Sequence, residues 1–352
     1  MTRLLALTMG DPAGIGPETI VGSWEAPVLQ ANCRRVVIGR VAVLQRAVAL
    51  LERPLSVQRV TQLSQVSPDP LVLPVWEVGA GEADQVQAGE VSAAAGRAAR
   101  DALLAAIDLA RSHDVDAIVT APLNKASLQA AGVSQPGHTE MLAERCGAKN
   151  VAMMLYLPPG RGQVQGAIGL GVIHATLHTA LRNVFTELSR ERIVERCQLA
   201  SEFAQRILAA RGFSRQARIG VAALNPHGGE NGLFGNEELE LIAPAVQLAQ
   251  AAGLPVSGPW PCDTLMHRAA AGEFDAVVAM YHDQGHIALK LLGLHDAVNV
   301  TLGLPIIRTS VAHGTAFDIA WKGRANPHSM IQATLTALEL AATRDWQPRS
   351  PS

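Results

Sequence analysis

The chain has 352 residues, 48% of them hydrophobic and 4% aromatic, and a formal net charge of −2. One hydrophobic core stops growing at roughly 250–300 residues, so two domains are expected, with Ala, Leu and Val rather than aromatic rings filling them. The balanced charge shows no basic stripe with interleaved aromatics, which argues against nucleic acid as a partner, and no apolar run reaches the ~18 residues of a membrane span.

LLALTM near the start reads as a first core strand, because a secretory signal needs a longer apolar region and a small-residue cleavage site. Short apolar runs then alternate with helical patterns. Strands are expected at 4–9, 35–38, 117–120, 151–157, 167–173, 218–224, 276–281 and 298–301. Helices are expected over 92–112, 189–210, 242–252 and 329–343. In the first helix Ala99, Leu103, Ile107 and Ala110 recur at helical spacing. Gly253 is placed to stop the third, and Pro244 fits its first turn. This alternation indicates an α/β fold with a largely parallel sheet. PPGRG at 158–162 interrupts two β-type runs as a hairpin would, predicting antiparallel strands in a central subdomain. Cys33, Cys146, Cys197 and Cys262 are widely spaced without a CxxC pair, which fits a reducing cytoplasm and no disulfide framework.

Function in open α/β sheets gathers beyond the carboxyl ends of strands, and the chemistry-bearing segments fall there. Met9-Gly-Asp-Pro-Ala-Gly-Ile-Gly-Pro-Glu18 follows the first strand. Gly14 and Gly16 suit a backbone cradle for an anion or cofactor, or only a tight turn. Lysine is scarce, four among 29 basic residues, and Lys125, Lys290 and Lys322 lie in motif-like segments. Lys125 offers an ammonium to a phosphate or carboxylate, or is a solvated lysine at a helix start. Gly137-His-Thr-Glu140 offers an imidazole and a hydroxyl, a combination that suits phosphate. The alternative is Thr139 capping the helix MLAERC.

His178, His227 and His282 each follow a β-type run. Neutral imidazole is the commonest zinc ligand, and three ligands with an open position define a catalytic metal site. His174 lies four before His178 and His286 four after His282, and the sequence does not choose within either pair. Asp263 reads as a carboxylate near such a metal, or as a cap on the next helix. Lys290 suits proton transfer near a metal-bound alcohol, or a surface position. Arg308, preceded by Asn299, ends an apolar run without an acidic neighbour, and its fork suits carboxylate or phosphate.

HGTAFDIAWKGRANP, residues 313–327, resembles the adenosine-binding loop of NAD-using members of the isocitrate and isopropylmalate dehydrogenase superfamily. The resemblance implies His313 and Asn326 against adenine, Gly314 in the loop, and Asp318 with Ile319 at the ribose. An Asp there accepts from a 2′-hydroxyl and repels a 2′-phosphate, favouring NAD over NADP. Ala312 stands where relatives often carry Asp. GDPAGIGPE, PGHTE, LNPHGGENGLFG, YHDQGH and GLPIIRTSVAHGTAFDIA make nearly the whole chain similar to the 4-hydroxythreonine-4-phosphate dehydrogenase family.

That resemblance implies two α/β/α domains with an active-site cleft between them, isocitrate/isopropylmalate dehydrogenase-like. The cofactor-side domain would span 1–125 plus 309–352, and the central domain, with metal ligands and dimer interface, 126–308. It implies a cytoplasmic homodimer with shared active sites, using NAD and one divalent metal (Zn, Mg, Mn or Co) on His178, His227 and His282. Substrate contacts would come from His138, Thr139, Lys290, Asn299 and Arg308, with Lys125 a further phosphate candidate and Lys290 with Asp263 as catalytic groups. The implied reaction is oxidation and decarboxylation of a 4-phosphorylated four-carbon 3-hydroxy acid, as in pyridoxal phosphate biosynthesis. APLNK, HGGENGLFG, YHDQGHIALKLLG and FDIAW look closer to paralogues that oxidise threonate or erythronate 4-phosphate to dihydroxyacetone phosphate. Phosphotransacetylases share the general architecture, so an acyl-phosphate transferase, needing neither metal nor NAD, is the alternative from a different class.

Overall fold

The structure, a computed structural model, describes residues 2–343. It divides into two compact units, Met1–Val151 with Leu304–Ala342, and Ala152–Gly303. In chain order the strands are β1 (Arg3–Thr8), β2 (Cys33–Gly39), β3 (Ser56–Val60), β4 (Val72–Glu77), β5 (Ala117–Thr120), β6 (Ala152–Leu157), β7 (Leu170–His174), β8 (Ile219–Ala222), β9 (Val256–Trp260), β10 (Ala276–Ala279), β11 (Val298–Leu302) and β12 (Arg308–Val311).

The first unit carries parallel strands in the order β3-β4-β2-β1-β5-β12. Thr120 is in register with Thr8 on one side and Ser310 on the other, so a row of hydroxyl residues crosses three strand ends. Helix Ala93–Arg111 is capped by Ser92, whose hydroxyl accepts from Ala95 N at 3.2 Å. Its Leu103, Ala106 and Ile107 share one core with Leu128, Met141 and Leu142. Each large side chain buried there contributes roughly 1.5–3 kcal/mol. That shared core carries the first unit past the expected boundary at 125 to Val151. His138 and Arg308 therefore belong to the first unit rather than the central one, together with Lys125. The expected reach of this domain to residue 352 includes positions, from 344 on, outside the described residues.

The second unit has the order β11-β6-β7-β10-β8-β9. Strand β6 is antiparallel to both β7 and β11, as the PPGRG hairpin predicts, and the remaining pairs are parallel. Tyr156 meets Phe203 edge-on at 5.0 Å and donates its phenol to Ile168 O at 2.7 Å. Asp275 is fully buried. Burial alone would raise its carboxyl pKa, but hydrogen bonds from Arg215 and Arg218 overrule burial and hold it below the ordinary range.

The apolar-run reading passes over β3, β4, β9 and β12. Strand β3 is an edge with mostly exposed side chains, and β4 and β9 contain Pro74 and Pro259, which weaken a strand signal. Strand β12, Arg-Thr-Ser-Val, is buried throughout although three of its four side chains are polar. Gly253 ends helix Ala243–Ala251 with a left-handed φ of 78°, and Pro244 lies in that helix's first turn, both as expected. The cysteines are all free, two of them buried. Among the described residues no helix is long and apolar enough to cross a membrane.

Candidate active site

The second unit gathers four imidazoles at the ends of β7 and β10. The exits of these strands are tied together: Ala175 N donates to Ala279 O at 2.8 Å, and Thr176 donates its N–H and its hydroxyl to Met280 O at 3.0 and 2.8 Å. His178 and His282 project from the two loops with ring centroids 6.0 Å apart. His174 and His286 lie behind them, only 3% and 6% exposed, with His286 Nδ1 3.1 Å from His174 Nε2. Burial, and the neighbouring histidines, push His174 down to about 3 and His286 to about 4, so both are neutral at physiological pH. Accessibility thus makes the choice that spacing left open. His178 is exposed and His282 half-exposed, and these two can reach a ligand.

Each residue of His282-Asp-Gln-Gly-His286 has a distinct task. His282 Nδ1 is 2.7 Å from Asp283 Oδ1. A carboxylate there accepts the Nδ1 proton and leaves the Nε2 lone pair for a metal. Gln284 accepts from Met280 N at 2.6 Å and donates to Ala223 O at 2.7 Å, clamping the ends of β10 and β8. Gly285 lets the helix His282–Gly293 approach the sheet, since a Cβ there would fall 2.5 Å from His174 Nε2. Asp283, Gln284 and Gly285 were not singled out from the sequence, although their motif was.

His227 sits apart on a loop in which residues 227–231 all have left-handed backbone angles, with φ from 45° to 79°. The buried Glu238 holds this loop by accepting from Leu224 N and Asn225 N, both at 2.7 Å. The His227 ring has Phe234 as its aromatic neighbour at 6.5 Å. Among the described residues no group of three or more His, Cys, Asp or Glu is placed to hold a metal. Within one chain His227 does not join His178 and His282 in such a group; the expected set draws its ligands from both subunits. The pair His178 and His282 does suit a shared cation, because two imidazole nitrogens, each about 2 Å from one ion, fit rings at this spacing.

Asp263 is exposed in the first turn of helix Cys262–Ala270, where its carboxylate accepts from Thr264 N at 2.8 Å; the N-cap is Pro261, so Asp263 does not cap the helix. Lys290 is exposed one turn after His286, where its charge helps to depress that imidazole. Asn299 on β11 keeps its Oδ1 buried without a protein hydrogen-bond partner, an acceptor left for a ligand donor.

In the first unit Arg308 opens β12, is 2% exposed, and donates from Nη2 to Thr120 Oγ1 at 2.6 Å. Burial lowers its pKa to about 9, which still leaves the guanidinium charged at neutral pH. His138 is pushed well below the ordinary histidine range by burial and by the Arg308 charge, and bonds to the Ala121 carbonyl. His138 and Thr139 form the first turn of helix His138–Cys146, whose N-cap is Gly137 and not Thr139. The Lys125 Cε is 3.8 Å from the point where a Cβ on Gly137 would stand. A buried guanidinium, a neutral imidazole, a lysine and a helix N-terminus in one unit can bind a doubly charged anion.

The segment 313–327 packs on the Gly-rich turn. Buried Glu18 accepts from Trp321 N at 2.6 Å and Gly323 N at 2.9 Å, Trp321 Nε1 donates to Pro12 O at 2.8 Å, and Ile15 N donates to Thr315 O at 3.1 Å. Arg46 lies 3.7 Å above the Trp321 ring. Gly14 is needed for this closeness, since a Cβ there would stand 3.0 Å from Thr315 O. The Gly-rich turn thus docks the loop rather than forming an open anion cradle. Asp318 is exposed, with its backbone carbonyl bonded by Lys322 Nζ at 2.6 Å, and Ile319 is half-buried. His313 Nδ1 donates to Gly314 O at 2.9 Å. Asn326 spends its side-chain oxygen on His328 N at 2.9 Å, leaving its amide N–H groups for any other contact.

The chain is 43% identical over 342 residues to the D-threonate 4-phosphate dehydrogenase of Pectobacterium atrosepticum, covering 97% of this chain and 100% of that protein. A crystal structure of 4-hydroxythreonine-4-phosphate dehydrogenase from Klebsiella pneumoniae matches with a TM-score of 0.85 and 43% identity, covering 97% of this chain and 98% of that one. Isocitrate dehydrogenase from Methylococcus capsulatus, at 17% identity and a TM-score of 0.50 over 98% of this chain and 87% of that one, shares the fold alone. The family described as pyridoxal phosphate biosynthetic protein PdxA matches residues 31–337. With most of its length so matched, the chain belongs to the PdxA family.

Proposed function

We propose that this chain is an NAD-dependent dehydrogenase that oxidises and decarboxylates a 4-phosphorylated four-carbon 3-hydroxy acid of the threonine or threonate type. The observation that carries the substrate class is Arg308, a charged guanidinium buried to 2% beside His138. Such a group calls for an anionic ligand, and a terminal phosphate supplies one. The two relatives at 43% identity are named for substrates of this kind, and their equal identities do not separate the amino from the hydroxy acid.

Arg308, His138, Thr139 and Lys125 are assigned to the phosphate, and Asn299 to a hydroxyl or amine of the carbon chain. Lys290 is assigned to take the proton from the 3-hydroxyl, with Asp263 as its companion. His313, Gly314, Asp318, Ile319 and Asn326 are assigned to the adenosine end of NAD. When bound, a divalent ion supplies positive charge against the reacting oxygens and NAD supplies the hydride acceptor. His178 and His282 would hold that ion from one chain, with His227 supplied by a second copy in a homodimer. The exposed Leu233 and Phe234, 74% and 50% accessible beside His227, support a partner surface there.

The reading is tested by NADH absorbance with both phosphorylated acids, with and without chelator and at several divalent metals. One acid should give chelator-sensitive NADH formation. No NADH from either acid sinks the proposal, and phosphate release without NADH points to a hydrolase instead.

Glu18 gives a separate test of the cofactor loop. Glu18→Ala removes the acceptor of the Trp321 and Gly323 N–H groups, two hydrogen bonds worth together roughly 1–3 kcal/mol. The expected result is a KM for NAD raised about tenfold with kcat little changed, read from steady-state NAD titrations.

A further inference from the structure

His174 and His286 have no part in the reading above, yet both are buried in the second unit and bonded to each other at 3.1 Å. The His286 ring lies flat against His282, with centroids 3.8 Å apart and planes inclined by 12°. The two sit four residues apart on one helix face, where side chains meet. His282 therefore has two restraints. Asp283 at 2.7 Å holds its Nδ1 within the ring plane, and His286 supports the face of the ring. His286 is itself held through its Nδ1 by His174, at the buried end of β7. Two apolar side chains would fill this space without burying imidazole nitrogens, so packing alone does not explain the pair.

We propose that His286, anchored by His174, is a positioning residue that fixes the plane of the His282 imidazole and so aims its Nε2 lone pair at the cation. This rests on the assignment of His282 as a metal ligand. Groups that orient a ligand without touching the metal typically change affinity by about 10- to 100-fold.

The test is Co(II) binding to the full chain without NAD or substrate, followed by visible absorption and by competition with a chelator. His286→Leu should weaken Co(II) binding at least about tenfold and alter the d–d spectrum. His286→Phe, which keeps a flat face, should recover most of the affinity and also guards against a folding defect in the Leu variant. In a His282→Ala background, His286→Leu should produce no further loss. Unchanged affinity and spectrum in His286→Leu, where His282→Ala does weaken binding, overturns the positioning role alone. The same loss with and without His282 also overturns it, because the effect then does not pass through that ring. If His282→Ala leaves Co(II) binding intact, the metal assignment falls and this inference with it.

Discussion

Replacing Arg308 by Met is expected to lower kcat/KM for the phosphorylated substrate about 1000-fold. The guanidinium is 2% exposed and stays protonated at neutral pH, because burial brings its pKa only to about 9. At an effective dielectric near 20, unit charges ~4 Å apart interact by roughly 4 kcal/mol, which corresponds to about three powers of ten. Arg308→Lys keeps the charge but loses the planar fork that pairs with two phosphate oxygens, so an intermediate loss is expected. Removing the guanidinium also removes a desolvated charge, so the unfolding midpoint should not fall in parallel with activity. The decisive measurement is the ratio of kcat/KM for the phosphorylated acid to that for its unphosphorylated counterpart. That ratio should collapse in Arg308→Met. A variant that keeps the wild-type ratio would take the phosphate away from Arg308.

Strands with apolar runs, such as β1 and β5, are legible in the sequence because both sheet faces are covered and the interior side chains are apolar up to the hydroxyl residue at the strand end. Strand β12 is hidden for the opposite reason: Arg308, Thr309 and Ser310 are buried polar groups, and their partners come from distant segments. Thr309 donates to Ala333 O, for example, at 2.8 Å. The reach of the first unit to Val151 is not legible in the sequence, because the packing of Leu128 and Met141 on helix Ala93–Arg111 leaves no local mark. At the site, the loops holding His178, His227 and His282 could be read, but distances could not. Residues four apart, His174 with His178 and His282 with His286, are equivalent in a sequence and are separated only by burial. Gly14 and Asn326 carry motif chemistry but are engaged in docking and capping, which depends on where Thr315 and His328 fall. The roles of Glu18 and Gly285 are not legible in the sequence, because a buried carboxylate and a helical glycine acquire meaning only from their neighbours.

Gly285→Ala sets two physical effects of opposite sign against each other. In an open helix the change stabilises by about 1 kcal/mol, because alanine forms helix far better than glycine. Here the added Cβ would fall 2.5 Å from His174 Nε2, 2.6 Å from Val172 Cγ1 and 3.2 Å from Ala279 Cβ. None of these atoms is the free end of a flexible chain: Val172 and Ala279 belong to β7 and β10, and His174 is pinned by His286. Overpacking of this kind costs roughly 1–3 kcal/mol, and relief requires the helix His282–Gly293 to lift from the sheet. The net expectation is destabilisation, seen as a lower unfolding midpoint. The functional loss should be larger than the stability loss, since His282 opens this helix and Gln284 clamps its first turn to Met280 and Ala223. A displacement of about 1 Å at a reacting geometry can cost on the order of 100-fold in rate. Steady-state kinetics and thermal unfolding on the same sample check both parts. A variant as stable as the parent with full kcat would mean that the helix and strand do not meet as closely as Gly285 requires.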